Sequence, residues 1–399
     1  MFLAQLDLKK AFDHVDHRAA FNTMKLHGRR LSAIALIAAI WQQSTVQVSL
    51  GQVASDEIKM DRGLPQGAPE SPIIFTLIVE MVMRGLIAKW ELRRATGIGF
   101  GVDSWWTPCL AYADDIILMA SSKEALENMI RDVTEAFVRV GLCIGHSKTN
   151  WSCVPATPEA RLQAGEVLVN WAESFVFVGV EVTLQGCSTK AIVHRMAQAQ
   201  KAYHKWKALL CCPWVAPRRR IELLTKSVWP SFLWGASCWH PTKAMTEKIA
   251  SWGARMTAAA AGVRRRPLEP IGDWWRRMHR VGWSWMRKCG ENPEVARRLS
   301  VHRWAGHVAR MPAQSQPSQA LRARGMQWWR WAQTNHFDKK WTGVHPKRFK
   351  VWRWESQVAE IYGDGYAEDT LSNTGWLAAA QSRSSWKEGE KAYSDRSRS

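Results

Sequence analysis

The sequence has little that would cross-link, export or anchor it. Eight cysteines are scattered through 399 residues, only Cys211 and Cys212 are close together, and no C-x-x-C pair or Cys/His zinc spacing occurs. His302 and His307 stand five apart with no thiol nearby. This gives no basis for a disulfide framework or a structural zinc, and a reducing compartment is expected. The opening "MFLAQLDLKK" lacks the basic start and apolar run of a secretory signal. The longest apolar stretches, "LSAIALIAAIW" and "SPIIFTLIVEMVM", are too short or are interrupted by Glu80. They are expected to be buried core helices rather than membrane spans. No fixed-period repeat is present, which excludes a solenoid.

Acidic residues are scarce in the second half. Residues 1–198 carry 19 Lys and Arg against 20 Asp and Glu, whereas the rest of the chain carries 36 against 15, so the net charge of +20 lies wholly there. Of 25 tryptophans, 19 follow residue 200. A near-neutral half joined to a basic, aromatic half fits an enzyme that handles a polyanion, with nucleic acid foremost. A solvated basic surface over a Trp-rich core is the plainer alternative.

Alternation in residues 2–8 predicts a strand ending near Asp7. Helices are expected over 17–27 and 31–43, and β-rich segments over 45–50 and 53–60. "RGLPQGAPESP" (62–72) is a Gly/Pro loop, and Pro72 opens a long helix reaching about Trp90. Residues 107–120 read as strand, Asp-Asp, strand. "SKEALENMIRDVTEAFVRVG" reads as a capped amphipathic helix stopped by Gly141. "KTNWSCV", "EVLVN" and "SFVFVGVEVT" read as short strands. Only helices are expected after about residue 187, with "KSVWPSFLWGASCW" a buried one, linkers at 263–270 and 311–320, and a frayed "KAYSDRSRS" end. The first half is therefore α+β, an antiparallel sheet with helices on one face.

Within "LAYADDIILMA" (110–120), Asp114 and Asp115 interrupt an apolar stretch. If their hairpin neighbours the strand ending at Asp7, three carboxylates converge, and converging carboxylates repel unless cations are present. Two Mg²⁺ about 3.5–4 Å apart would then suit in-line phosphoryl transfer. The plain alternative is a turn-capping Asp115 and a surface Asp7.

Five strings occur in order over about 180 residues: "LDLKKAFDHVDH" (6–17), "GLPQGAPESPIIF" (63–75), "YADD" (112–115), "GLCIGHSKT" (141–149) and "FVFVGVEVT" (175–183). Together they resemble the palm motifs of reverse transcriptases. The A-F-D-x-V-x-H form looks most like the non-LTR (LINE-type) retrotransposon enzymes, with group II intron enzymes the nearer alternative.

The resemblance implies the palm of a right-hand polymerase over 1–186, a helical thumb over 187–262 and a basic Trp-rich helical region over 263–399. It implies Asp7, Asp114 and Asp115 as metal-binding residues for two Mg²⁺, or Mn²⁺ in their place, with the Leu8 carbonyl facing a metal. Phe12 would lie beneath the incoming sugar and select deoxynucleotides. Gln66 and Gly67 would lie against nucleotide and template, Lys148 would reach the triphosphate, and Phe177, Val178 and Gly179 would form the primer grip. Phe12 and the grip residues also read as ordinary core, and Lys148 as a solvated lysine. Implied partners are an RNA template, a DNA primer and dNTPs, without a membrane, in the nucleus or cytoplasm. "HRWAGHVARM" and the terminal "W…AAQSRSSW" resemble the tails of such proteins.

The chain starts at the first palm motif, where the family has preceding fingers, so an N-terminally truncated product is expected. No endonuclease, zinc-knuckle or RNase H pattern is read. Three classes stay open: a template-directed DNA polymerase, a nucleic-acid-binding remnant without catalysis, and another two-metal palm enzyme. Phe12 and the Gln66 loop count against the third.

Overall fold

Alternating side chains in residues 2–6 build strand β1 (Phe2–Leu6), whose Leu3, Ala4 and Leu6 are buried. In this computed structural model the described residues are 1–102, 105–145, 148–154, 162–165, 167–184, 188–289, 292–321, 356–363, 366–367, 370–371 and 375–396. They form two units, Met1–Val178 and Gly179–Ser399.

In the first unit, α1 (Ala11–His14), α2 (His17–Leu26) and α3 (Leu31–Gln43) follow β1. Four two-residue strands come next: β2 (Thr45–Val46), β3 (Ser49–Leu50), β4 (Val53–Ala54) and β5 (Ile58–Lys59). They pair as β2–β5 and β3–β4. Then come α4 (Ser71–Glu91), β6 (Phe100–Val102), β7 (Trp105–Thr107), β8 (Cys109–Tyr112), β9 (Asp115–Ala120), α5 (Lys123–Val138), β10 (Asn150–Cys153), β11 (Leu162–Ala164), β12 (Val167–Trp171) and β13 (Ser174–Phe177).

Six of these strands make one sheet in the order β11-β12-β10-β1-β9-β8. β1 runs antiparallel to both neighbours, with Phe2 opposite Cys153 on one side and Leu6 opposite Ile116 on the other. The β10–β12 pair is parallel, so the sheet is mostly rather than wholly antiparallel. Helix α5 starts where Ser122 caps the Ala125 N–H at 3.1 Å, and Gly141, at φ +84°, follows its end. Its Leu126, Met129, Ile130, Val133 and Phe137 recur at helical spacing and face the core.

By length and composition α4 could cross a membrane. Here Ile74, Phe75, Ile78, Val82 and Trp90 bury it in the same core. The second apolar stretch behaves otherwise. α3 buries only Trp41 among its residues, while Leu31, Leu36 and Ile40 are exposed. The expectation of a core helix fails there because an all-round apolar composition does not say which faces find partners.

The second unit begins with β14 (Val180–Thr183), α6 (Ser188–Leu210), α7 (Pro217–Ser227), α8 (Trp229–Leu233), α9 (Lys243–Ala260), α10 (Ile271–Cys289) and α11 (Pro293–Ala309). "KSVWPSFLWGASCW" is not one helix. It breaks at Val228 before Pro230 and again at Gly235, whose φ of +74° ends α8. Residues 311–320 do not form a linker throughout, since 316–321 are helical and Ser318 and Leu321 are buried. Beyond them lie α12 (Ser356–Tyr362), a hairpin β15 (Tyr366–Ala367) and β16 (Thr370–Leu371), α13 (Gly375–Ala379) and α14 (Arg383–Arg396). The hairpin departs from the expectation of helices alone. The expected frayed end is instead helical through Arg396, because Tyr393 is buried beside His302, their rings 4.9 Å apart.

Arg297 has no exposure and is held by Glu294 at 2.8 and 2.7 Å and by Gln357 at 3.0 Å, which ties α12 to α11. Of the tryptophans after residue 200 that are described, Trp229, Trp239, Trp252, Trp376 and Trp386 are buried, whereas Trp214, Trp234 and Trp275 are exposed.

Leu118 is fully buried in β9, so Leu118→Ala should cost about 2–5 kcal/mol through lost burial and the cavity left behind. Leu36→Ala, on the exposed face of α3, should change stability by less than about 0.5 kcal/mol. Denaturant unfolding of both variants checks the assignment of core and surface.

Candidate polymerase active site

The register that pairs Leu6 with Ile116 puts the next residue of the first strand, Asp7, beside the first residue of the second, Asp115. Asp114 sits in the two-residue turn between β8 and β9, where Tyr112 pairs with Asp115. That turn has φ +52° at Ala113, a conformation glycine adopts far more readily. Asp114 is exposed and Asp115 half-buried.

Asp115 senses the other two carboxylates. Asp115 titrates above the usual aspartate range, first because burial disfavours its charge and then because Asp114 and Asp7 repel it. The Val178 N–H, donating to Asp115 Oδ2 at 3.2 Å, opposes that shift. Val178 is itself at φ +47°, a strained conformation for a β-branched residue. It lies in the turn between β13 and β14, at which the two units divide, and Gly179 follows at φ +74°. Phe177 ends β13 half-buried, and in the second unit the Gly179 carbonyl accepts from Arg195 Nη1 at 3.2 Å.

Asp7 is fastened by its backbone. Its carbonyl accepts from the Gly145 N–H at 2.7 Å, and a Cβ on Gly145 would come within 3.0 Å of Asp7 Oδ2. Leu8 bridges Ile144, and Lys9 N donates to Cys143 O at 2.9 Å. The same segment delivers Lys148, whose Nζ lies 3.8 Å from Asp7 Oδ2. A side chain at 145 would crowd the Asp7 carboxylate, a fit that its place in "GLCIGHSKT" alone did not reveal.

The Gln66–Gly67 loop is tied to the first motif. Leu64 N donates to Phe12 O at 2.7 Å, and His17 Nε2 lies 2.7 Å from Gly63 O. Gln66 Nε2 donates to Asp13 Oδ1 at 3.0 Å, so Asp13 is a positioning residue that sequence reasoning passed over. Gly67 takes φ +94° in open space. Phe12 is half-buried and stacks on Phe75 with ring centres 4.8 Å apart, so it has a core role whatever else it does.

Hard carboxylate oxygens in mutual repulsion are the donor set a divalent cation satisfies. Among the described residues, however, no three His, Cys, Asp or Glu side chains gather closely enough to ligate an ion. The reason lies in the competing partners, since Asp7 leans to Lys148, Asp115 to the Val178 N–H, and Asp114 is exposed to water.

Because the folded Asp115 carboxyl has a raised pKa, its charge opposes folding above the ordinary aspartate range. That penalty fades as pH falls and the folded carboxyl takes up its proton. Without divalent ions, Asp115→Asn should therefore be more stable than the parent at pH 7. The difference should vanish as pH drops through the folded pKa to below the unfolded value of 3.8. Thermal unfolding of both proteins across pH 3–8 measures this.

Residues 1–182 match the family model described as reverse transcriptase (RNA-dependent DNA polymerase). The chain is 28% identical over 164 residues to the Retrovirus-related Pol polyprotein from type-1 retrotransposable element R2 of Nasonia vitripennis, covering 41% of this chain and 15% of that protein. It is 26% identical over 147 residues to the corresponding polyprotein from type-2 retrotransposable element R2DM of Drosophila melanogaster, covering 37% of this chain and 13% of that one. Apo telomerase from Candida tropicalis aligns at 15% identity with a TM-score of 0.38, covering 65% of this chain and 41% of that structure. The chain spans only a minor part of these retrotransposon proteins, and the family match takes in the three aspartates. Residues 1–182 are thus similar to the reverse transcriptase family and to the Pol polyproteins of R2 retrotransposable elements.

Proposed function

We propose that this chain is the polymerase portion of a non-LTR retrotransposon reverse transcriptase, adding deoxynucleotides to a primer 3′-hydroxyl on an RNA template. The observation that carries the reading is the β1–β9 register, which sets Asp7 beside Asp115 with Asp114 in the adjoining turn, inside the segment that matches the family. Residues 1–186 then act as palm, 187–262 as thumb, and 263–399 as a basic accessory region. The partners are the RNA template, the DNA primer and dNTPs, and the protein works in the nucleus or cytoplasm.

Asp7, Asp114 and Asp115 would hold Mg²⁺, or Mn²⁺ in its place, with the Leu8 carbonyl beside them. Such ions supply Lewis acidity toward the primer hydroxyl and charge for the leaving pyrophosphate. The protein's own groups do the rest. Lys148, mostly exposed and 3.8 Å from Asp7, is free to swing toward a triphosphate. The Gln66–Gly67 loop offers backbone without a Cβ at the nucleotide. Phe12, stacked on Phe75, gives a rigid floor that a 2′-hydroxyl would strike. Phe177, Val178 and Gly179 would hold the primer end, and the Val178 N–H ties that turn to Asp115.

Two readouts test this. Mg²⁺ should raise the unfolding temperature of the parent chain but not of Asp7→Asn or Asp115→Asn. Primer extension on an RNA template should fall by about 10²-fold or more in the same variants, the scale expected when transition-state charge stabilisation is lost. Phe12→Ala should narrow the preference for dNTP over rNTP. Equal Mg²⁺ stabilisation of parent and variants would refute the metal assignment whether or not extension is seen.

A further inference from the structure

The tail helices build a second charged site within the second unit, far along the chain from the aspartates. A cleft of about 340 Å³ opens between α11 and α14, within the size range of ligand pockets. Its two walls are ordered rows. Arg303, His307 and Arg310 recur at i, i+4 and i+7 on one helix and its C-cap, and Arg383, Lys387 and Glu390 recur at the same spacing on the other. Among the described residues that line it the one carboxylate, Glu390, is spent on Arg303 through two hydrogen bonds of 3.0 and 2.9 Å.

Among the described residues the other cations form no salt bridge with Glu390, though Lys387 lies near enough to lower the Glu390 pKa. Arg310 donates one nitrogen to the Ala380 carbonyl at 2.6 Å, which fixes it in the wall without neutralising it. Among the described residues, Arg383 and Lys387 make no ion pair. Burial and the charge of Arg383 both push the Arg310 guanidinium below its ordinary range, so the cations disfavour one another.

The cleft is also rigidly built. Its floor is Trp386, buried and stacked on His302 with ring centres 4.1 Å apart, its indole N–H donating to the His302 carbonyl at 3.0 Å. Only glycine fits at 306, since a Cβ there would come within 2.3 Å of Trp386 Nε1. His302 takes no charge in this setting, because burial lowers its pKa to about 4. These contacts give a physical reason for "HRWAGHVARM" and the "SRSSW" end. The glycine seats the tryptophan, and the tryptophan sets two basic rows face to face.

We propose that this cleft binds consecutive phosphates of a single-stranded nucleic-acid backbone, with Arg310, Arg383 and Lys387 as the principal contacts. Placement favours a polymer over a free phosphate. The unspent cations stand on both walls, Arg383 and Lys387 one turn apart, roughly 6 Å along the helix axis, with Arg310 on the facing wall. That arrangement offers partners to neighbouring phosphates of one strand rather than a single ring of donors around one phosphate. The site is independent of the polymerase reading, since every residue in it belongs to the second unit.

The test uses the full chain. Binding of a fluorescein-labelled 20-nucleotide RNA is followed across 50–300 mM salt for the parent, for R310Q/R383Q/K387Q, and for K243Q/K248Q/R287Q, which removes three exposed cations elsewhere in the same unit. The cleft variant should lose about ten-fold or more in affinity, and its salt slope should fall by about 2, since each phosphate contact on a single strand contributes about 0.7. The control should change by less than about two-fold. A charge-preserving R383K/K387R variant should bind RNA much as the parent does, which separates loss of charge from loss of fold. A parallel arm measures thermal stabilisation by inorganic phosphate. Equal losses in the cleft and control variants would reduce the cleft to part of a diffuse basic surface and overturn the proposal. So would phosphate stabilisation lost in the cleft variant alongside unchanged RNA binding, which would leave a site for free phosphate only.

Discussion

The first unit is organised around the repulsion of three carboxylates held at the ends of two neighbouring central strands. β1 is clamped by β9 and β10 on either side, and the same pairing that fills the core with Leu6, Ile116 and Leu118 brings Asp7 level with Asp115. The register cannot slip by one residue without turning the buried side chains outward. Apolar burial therefore holds in place an electrostatic arrangement that would not assemble by itself. The surroundings answer the repulsion with Lys148 on Asp7 and the strained Val178 N–H on Asp115.

The same logic, opposite in sign, operates in the tail. There the stacked His302–Trp386 pair and the hydrogen bond from buried Arg297 to Gln357 hold α11 against its neighbours, and basic residues are left facing each other. One end of the sequence concentrates negative charge at two strand ends and the other concentrates positive charge along two helices. The proposed polymerase function, with its cations, triphosphate and long polyanion, would use both.

The first unit was legible in the sequence because its signals are local. Alternation in residues 2–6, Pro72 at the start of α4, Ser122 at the cap of α5 and the Asp-Asp turn each act through nearest neighbours. What it hid depends on distant partners. The apolar α3 gave no sign that Leu36 would face solvent, and nothing near Tyr393 indicated that His302 would bury it. Asp13 reads as a surface acid until Gln66 is found 3.0 Å away. Gly145 and Gly306 are silent in the sequence, since the reason for each is a side chain from elsewhere, Asp7 in one case and Trp386 in the other.

The most direct test of the central claim, that the β1–β9 register makes Asp7 and Asp115 one electrostatic unit, is a double-mutant cycle. Unfolding free energies of the parent, Asp7→Asn, Asp115→Asn and the double variant are compared at pH 7, low salt and without divalent ions. If the two carboxylates repel, each single substitution relieves the same interaction, and the double variant gains less than the sum of the two. Strict additivity would mean that the carboxylates do not sense each other, and it would contradict the account.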